Sequence, residues 1–297
     1  RSLELNDKYV VAVSSLADVY HYDLGTQTLS KKRFITDTLN VRSMALVDDS
    51  VFTLSIGSPA FLYKNAELVY SENHPDVFYD SMDFWNDKEG IAMGDPTENC
   101  LSILITRDGG ANWHKIPCAE LPKAIKGEAA FAASDTNISI IDDKVWIASG
   151  GMASRVLYSS DKGKTWQVFD TPIVQGTPTA GMYSIDFYDA QNGFAVGGDY
   201  TQPQAVSNTK IKTSDGGQTW QVVSGKNSPG YRSCVQYVPK SNAQGLVVVG
   251  FEGIDYSADG GLYWRHLSDE GFYTLRFLND STAFAAGKGR IAKLNFK

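Results

Sequence analysis

The sequence predicts an all-β protein: a single domain over residues 1–297 that folds as a seven-bladed β-propeller of four-stranded antiparallel blades. Three repeats along the chain support this prediction. In the first, short apolar segments that end in a small residue recur seven times, at residues 9–13, 51–56, 91–94, 145–150, 194–197, 246–250 and 283–287. Seven units in 297 residues match the roughly 40–45 residues that one four-stranded blade needs.

The second repeat marks the inner strand of each blade. It has the form x-Ser/Thr-apolar and occurs at residues 1–3, 42–44, 80–82, 183–185, 232–234 and 273–275. Each copy precedes an apolar segment of the first repeat, so it should open the inner strand. The fourth blade is the exception, because alanine replaces the hydroxyl residue near residues 128–131 and the register there is ambiguous.

The third repeat predicts the outer turn of a blade. Residues 106–113, 159–166, 213–220 and 257–264 each read Ser/Thr-x-Asp-x-Gly-x-x-Trp, and residues 21–25 keep only the Asp and the Gly. Asp and Ser/Thr side chains bond nearby backbone amides, while Gly adopts a positive φ, so this pattern is typical of a hairpin turn. The predicted structural turn residues are Asp108, Trp113, Asp161, Trp166, Asp215, Trp220, Asp259 and Trp264.

The last blade is predicted to be incomplete. After residue 287 the chain has room for one more strand, at residues 291–296, which gives this blade three strands. Because an open edge invites aggregation, we expect a strand N-terminal to Arg1 in the full-length protein to complete it. A chain that begins at Arg1 is typical of a processed N-terminus. We therefore expect an extracytoplasmic protein, periplasmic or secreted, after removal of an N-terminal signal.

The composition excludes several functional classes. The net charge is -7 and no run of basic residues occurs, so we expect no nucleic-acid partner. No segment approaches the roughly 20 apolar residues of a transmembrane segment. The four histidines show no metal-ligand spacing, and the paired glycines lie in hairpin turns. We therefore predict no metal and no other cofactor.

Two of the three cysteines are placed to form a disulfide. In the hairpin built on Asp108, counting outward from Thr106 opposite Trp113 brings Cys100 and Cys118 to facing positions on neighbouring strands. Facing Cβ atoms lie about 4.5–5.5 Å apart and need only a small approach to bond. We predict a disulfide, and the alternative is a pair of reduced, packed thiols.

The candidate site lies at the central channel, on the face where inner strands begin, because propeller ligands usually bind there. The variable position of the inner-strand repeat holds Arg1, Arg42, Asp80, Tyr183, Arg232 and Tyr273. Neighbouring loops add Asp95, Glu128, Arg155, Asp199, Tyr200 and Tyr231. We predict that these residues bind a protein partner, or a glycan or anionic small ligand, whose carboxylate suits arginine. The alternative is that the arginines pair with Asp80, Asp95 and Glu128 in a structural network.

The turn motif resembles the Asp-box, or BNR, repeat family of propellers, which includes sialidases, sortilin-type receptors and photosystem II stability/assembly factor-like proteins. The whole chain resembles bacterial BNR/YVTN-like propellers related to the last group, on the motifs at residues 80–85, 90–96, 127–134, 198–200 and 230–233. This resemblance implies a non-catalytic binding or assembly scaffold, and it carries over no catalytic residue. A glycan-binding or glycan-hydrolysing, sialidase-like propeller is the alternative. However, sialidases resemble six-bladed propellers with a Phe/Tyr-Arg-Ile-Pro signature, which this chain lacks.

Overall fold

A computed structural model describes residues 2–33 and 39–296. Their strands form seven antiparallel blades in chain order, which confirms the predicted seven-bladed β-propeller. The strands of each blade follow one another outward from the channel, so every blade has the same polarity. The described residues also include one short 3-10 helix, Cys118–Glu120.

The first three blades have four strands each. Blade 1 contains β1 (Ser2–Leu5), β2 (Tyr9–Val13), β3 (Asp18–Asp23) and β4 (Leu29–Arg33). Blade 2 contains β5 (Val41–Val47), β6 (Ser50–Ser55), β7 (Ala60–Lys64) and β8 (Glu67–Glu72). Blade 3 contains β9 (Tyr79–Phe84), β10 (Gly90–Gly94), β11 (Ser102–Thr106) and β12 (His114–Lys115).

The fourth and fifth blades are joined by two short extra strands. Blade 4 contains β14 (Ile138–Ile141), β15 (Lys144–Ala148), β17 (Arg155–Ser159) and β18 (Gln167–Asp170). Blade 5 contains β19 (Ala180–Phe187), β20 (Gly193–Asp199), β21 (Lys210–Thr213) and β22 (Gln221–Val222). The extra strands β13 (Glu128–Ala129) and β16 (Gly150–Gly151) pair with each other and extend the sheet of blade 5. The inner strand of blade 4 is therefore β14, which follows the ambiguous segment at residues 128–131.

The last two blades differ in strand number. Blade 6 contains β23 (Cys234–Tyr237), β24 (Leu246–Gly250), β25 (Gly253–Ser257) and β26 (Arg265–Ser268). Blade 7 contains, among the described residues, β27 (Thr274–Phe277), β28 (Thr282–Gly287) and β29 (Arg290–Asn295).

The hydrophobic core lies between neighbouring blades. The second strands are buried on both sides, as in β24, whose five residues are all buried. Between blades 5 and 6, Phe194 and Val248 pack with Trp264 in one apolar cluster. The indole N–H of Trp264 donates to the carbonyl of Gly261 at 3.0 Å, so this tryptophan fills the space under its own turn.

The Asp-containing motifs form the turns between the third and fourth strands of blades 3 to 6. In the first of them, the Thr106 hydroxyl accepts the Gly110 amide at 3.0 Å, and Asp108 accepts the Asn112 amide at 2.9 Å. Hydrogen bonds from the Asn112 side chain and backbone lower the pKa of Asp108 to about 2. Since each motif belongs to a different blade, the four aspartates do not meet at one site.

A disulfide joins Cys100 to Cys118, whose Cα atoms are 5.5 Å apart. It ties the loop between β10 and β11 to the 3-10 helix that follows β12. Cys234 is reduced and fully buried in the apolar cluster between blades 6 and 7.

Side chains lock the inner strands together across the channel. Asp186 accepts the amide of Tyr237 in the next blade at 2.6 Å, and Ser139 accepts that of Phe187 at 3.1 Å. Asp135 reaches further. Its two carboxyl oxygens accept the amides of Met44 in blade 2 at 2.8 Å and of Met82 in blade 3 at 3.1 Å. One acid therefore holds the inner strands of two other blades.

Arg276 closes the ring between the last and first blades. Its guanidinium contacts the Glu4 carboxylate at 2.6 Å and donates to the backbone carbonyl of Asp135 at 3.2 Å. Arg276 thus links blade 7, blade 1 and the segment before blade 4 inside the channel.

We expect Asp135→Asn to destabilise the fold, because an amide nitrogen cannot accept one of the two backbone N–H groups. The expected loss at about pH 5 is about 1–3 kcal/mol of unfolding free energy, measured by urea denaturation. Asp87→Asn, at an exposed acid, serves as the matched control and should change stability by less than about 0.5 kcal/mol.

The pH dependence gives the same replacement a second readout. Burial raises the pKa of Asp135 from 3.8 to about 8. The stability contributed by its proton is therefore complete below pH 3.8 and is lost as the pH rises toward 8. Asp135→Asn should show a smaller decline in stability over this window than the wild type. An equal decline in both proteins would contradict the assignment.

Candidate functional site

All loops that follow a second strand or precede an inner strand emerge at one end of the propeller, because the strands alternate in direction. We call this end the pocket face. At the mouth of the channel it contains a cavity of about 440 Å³, the mouth pocket. The predicted site residues that line it are Arg42, Asp95, Tyr183, Tyr200, Tyr231 and Tyr273.

β-Bulges direct three of the predicted residues. The pairing of β5 with β6 skips Arg42, that of β9 with β10 skips Asp80, and that of β19 with β20 skips Tyr183. A bulged residue is left unpaired in the ladder and can be re-aimed away from the strand face. The variable position of the inner-strand repeat is therefore a bulge in blades 2, 3 and 5.

Close backbone packing makes glycine necessary at two of these bulges. A Cβ atom on Gly94 would lie 2.1 Å from the carbonyl oxygen of Phe78, and one on Gly197 would lie 1.8 Å from that of Gly181. Both distances are far below van der Waals contact. The small residue that ends each second strand thus allows the inner strand to bend toward the channel mouth.

Aromatic side chains form the main wall of the mouth pocket. Phe131 stacks on Tyr183 with ring centroids 3.9 Å apart and an interplanar angle of 3°. The Tyr183 ring meets the edge of Tyr231 at 4.8 Å, and Tyr231 lies 5.2 Å from Phe251. Sequence reasoning missed both phenylalanines, although Phe251 directly follows the glycine that ends the second strand of blade 6. Asp95, which was predicted, has the equivalent position after the second strand of blade 3.

Two carboxyl groups lie at this pocket. Asp95 lines it and accepts the amide of Ala130 at 2.7 Å, and burial raises its pKa to about 6. Asp80 is fully buried next to Asp95 and Ala132. The backbone amide of Ala132 interacts with the Asp80 carboxyl and lowers its pKa, but by less than burial raises it. Burial, followed by the negative charge of Asp95, raises the pKa of Asp80 well above its ordinary value.

Two predicted arginines are held in buried ion pairs. Arg155 contacts Glu128 at 2.6 Å and donates to the carbonyl of Lys123 at 2.7 Å. Arg232 contacts Asp255 at 2.6 Å, and Asp255 also bonds His266 at 2.9 Å. The guanidinium groups of both arginines are therefore engaged inside the protein, as the network alternative expected for the pair with Glu128.

The remaining predicted residues lie at the edges of the site. Arg42 donates to Asn40 at 3.0 Å and to the carbonyl of Ala132 at 3.4 Å. Asp199 ends β20 and accepts hydrogen bonds from Thr201, at 2.8 Å from the amide and 2.6 Å from the hydroxyl. Arg1 lies outside the described residues.

Two other kinds of site are absent from the described ranges. No three His, Cys, Asp or Glu side chains there come close enough together to hold a metal ion. None of their helices is long and apolar enough to cross a membrane.

Comparison with known proteins shows the fold. No family model matches the chain, and no curated protein sequence matches it. A structure of YCF48 bound to a D1 peptide superposes with a TM-score of 0.68 at 12% identity, covering 100% of this chain and 92% of that one. U3-55K gives a TM-score of 0.67 at 9% identity, with 99% and 94% coverage.

An enzyme is similar in fold to the same degree. The GH74 xyloglucanase from Xanthomonas campestris gives a TM-score of 0.68 at 13% identity, covering 100% of this chain and 52% of that one. At these identities the similarity concerns the propeller fold alone, and function has to be argued from the site.

We expect Arg155→Ala to act on stability, because it leaves the Glu128 carboxylate buried without its cation. The expected loss is about 3–5 kcal/mol of unfolding free energy, measured by chemical denaturation. The double variant Arg155→Met/Glu128→Gln should recover at least half of it. Arg265→Ala, at an exposed arginine, is the control. A loss below about 1 kcal/mol for Arg155→Ala would contradict a structural pair.

Proposed function

We propose that residues 1–297 form one propeller domain of the BNR/Asp-box, assembly-factor-like kind, which acts as a non-catalytic scaffold. In this proposal it binds an exposed segment of a protein partner at the pocket face. The four hairpin turns with the Ser/Thr-x-Asp-x-Gly-x-x-Trp pattern support the repeat assignment, because each forms the same bonds around its aspartate. The location of the exposed apolar side chains supports the binding function.

Large apolar side chains are exposed on the pocket face. Of the eleven large hydrophobic residues exposed in the described part of the chain, six belong to loops of the pocket face: Leu16, Ile125, Met152, Tyr200, Val206 and Phe251. Tyr200 and Phe251 both line the mouth pocket, and exposed apolar side chains that lie together mark interaction surfaces. Aromatic residues are also enriched at the centres of protein interfaces. A neighbour in fold, YCF48, has been solved with a bound D1 peptide, which is consistent with a peptide-binding function.

The glycan-hydrolysing alternative has less support from the same geometry. A carboxylate glycosidase needs two acids that both reach the sugar, about 5–10 Å apart. Asp95 lines the mouth pocket, but its neighbour Asp80 is fully buried and cannot contact a bound glycan. We therefore retain the protein-binding scaffold as the proposed function.

Site-directed photo-crosslinking in the native host tests this proposal. The photoreactive residue p-benzoylphenylalanine replaces Phe251 on the pocket face, or Leu262 in the Asp-box turn of the same blade. Both positions are exposed, at 45% and 57%. We expect a discrete polypeptide adduct from position 251 only, and at least tenfold less adduct when Tyr200→Ala is added. Equal adducts from both positions, or none from position 251, would overturn the proposal.

We also propose that the protein works outside the cytoplasm after removal of an N-terminal signal. The Cys100–Cys118 disulfide supports this, because disulfides persist in oxidising compartments and are rare in the cytosol.

Thiol counting on protein alkylated within intact cells of the native host tests the compartment. Of three cysteines, two are bonded and Cys234 is free. The denatured chain should therefore take up one alkyl group without reductant and three with it, as measured by intact mass. Three groups without reductant would contradict an oxidising location.

A further inference from the structure

The charges that face the mouth pocket differ from those that the sequence suggested. Arg155 and Arg232 were expected to attract an anionic ligand, but each is less than 10% exposed and held by an acid at 2.6 Å. Arg42 lines the pocket, and its guanidinium is directed by Asn40 and the carbonyl of Ala132. Of the three ring arginines that the sequence predicted, Arg42 lines the pocket, Arg232 is paired with Asp255, and Arg1 lies outside the described residues.

A hydrogen-bond acceptor at the wall of the mouth pocket is available to a ligand. Asp95 accepts one backbone amide, through one of its two oxygens. Asp80, whose neighbours Asp95 and Ala132 both belong to the pocket wall, is fully buried and interacts with the backbone amide of Ala132. Asp95 is therefore the carboxylate of this wall that a bound donor can reach, through its second oxygen.

The aromatic wall suits the same class of donor. The exposed rings of Tyr200 and Phe251 stand at the rim, and Tyr231 lies between Tyr183 and Phe251 inside the pocket. Ring faces attract cations through their quadrupole, most strongly where water is excluded. An aromatic wall next to a carboxylate is therefore a favourable environment for an ammonium or guanidinium group.

We propose that the mouth pocket binds a lysine or arginine side chain that projects from the protein partner, with Asp95 as its acceptor and the tyrosine and phenylalanine rings as its walls. This inference rests on the proposed function and names the chemistry of the partner. The net charge of -7 favours the approach of a basic segment. A cation next to Asp95 also favours the charged form of Asp80, which burial and Asp95 oppose in the free protein.

Binding of short peptides tests the preference for a cation. The probes are three fluorescein-labelled octapeptides, Gly-Ser-Trp-X-X-Trp-Ser-Gly, in which X is Arg, Gln or Glu. Fluorescence anisotropy at physiological salt measures their affinity for the folded chain. We expect the arginine peptide to bind at least tenfold more tightly than the other two.

Two matched variants locate the charge that is responsible. Asp95→Asn should weaken binding of the arginine peptide at least tenfold. Glu98→Gln removes the same charge from an exposed position in the same loop and should change the affinity less than twofold. Tyr200→Ala alters an exposed ring and leaves the core intact, so it tests the pocket even if Asp95→Asn fails to fold. It should weaken binding at least threefold.

Several outcomes would overturn the inference. They are tighter binding of the glutamate peptide, unchanged binding by Asp95→Asn and Tyr200→Ala, or no binding of any of the three peptides. Crosslinking from position 251 is independent of these results. If the adduct forms while the peptides show no cation preference, the scaffold function stands and only the chemistry assigned to its pocket is wrong. If the adduct is missing as well, both fail.

Discussion

The inner edges of seven strands face the central channel, and the rest of the structure depends on how their backbone amides find acceptors there. A buried backbone amide without an acceptor is costly. Side chains of the neighbouring blade supply the acceptors, as Gln236 does for the amide of Phe277 at 3.2 Å and Ser184 for that of Val235 at 3.0 Å. Asp135 supplies two. These hydrogen bonds thus link the inner strands of different blades around the channel.

Burial of these acceptors determines the electrostatics of the channel. Burial raises the pKa of Asp83 and of Asp186 to about 7, and that of Asp135 to about 8. Because the acids take part in hydrogen bonds that the fold requires, replacement by neutral apolar residues would leave amides unpaired. The protein therefore keeps titratable groups in its interior, and Arg276 pairs with Glu4 between the last and first blades.

The repeats in the sequence were sufficient to predict the blade number and the turns, since each repeat fixes local backbone geometry. They also identified Arg42, Asp80 and Tyr183, because these residues occupy the same bulge position in blades 2, 3 and 5. The acidic partners of Arg155 and Arg232 were harder to predict from the sequence. Glu128 lies 27 residues from Arg155 and Asp255 lies 23 residues from Arg232, so these pairs depend on loop paths. Asp135 was missed because the inner-strand repeat is interrupted just before blade 4.

The cost of burying charged side chains explains why the sequence suggested an anionic ligand, whereas the structure suggests a cationic one. A buried arginine needs an acid beside it, so the charges of Arg155 and Arg232 are already compensated by Glu128 and Asp255. Asp95 lines the pocket and accepts one backbone amide, and its neighbour Asp80 is fully buried. The Asp95 carboxylate would repel an incoming carboxylate and attract an incoming cation. A cationic group is therefore the ligand that Asp95 favours at the channel mouth.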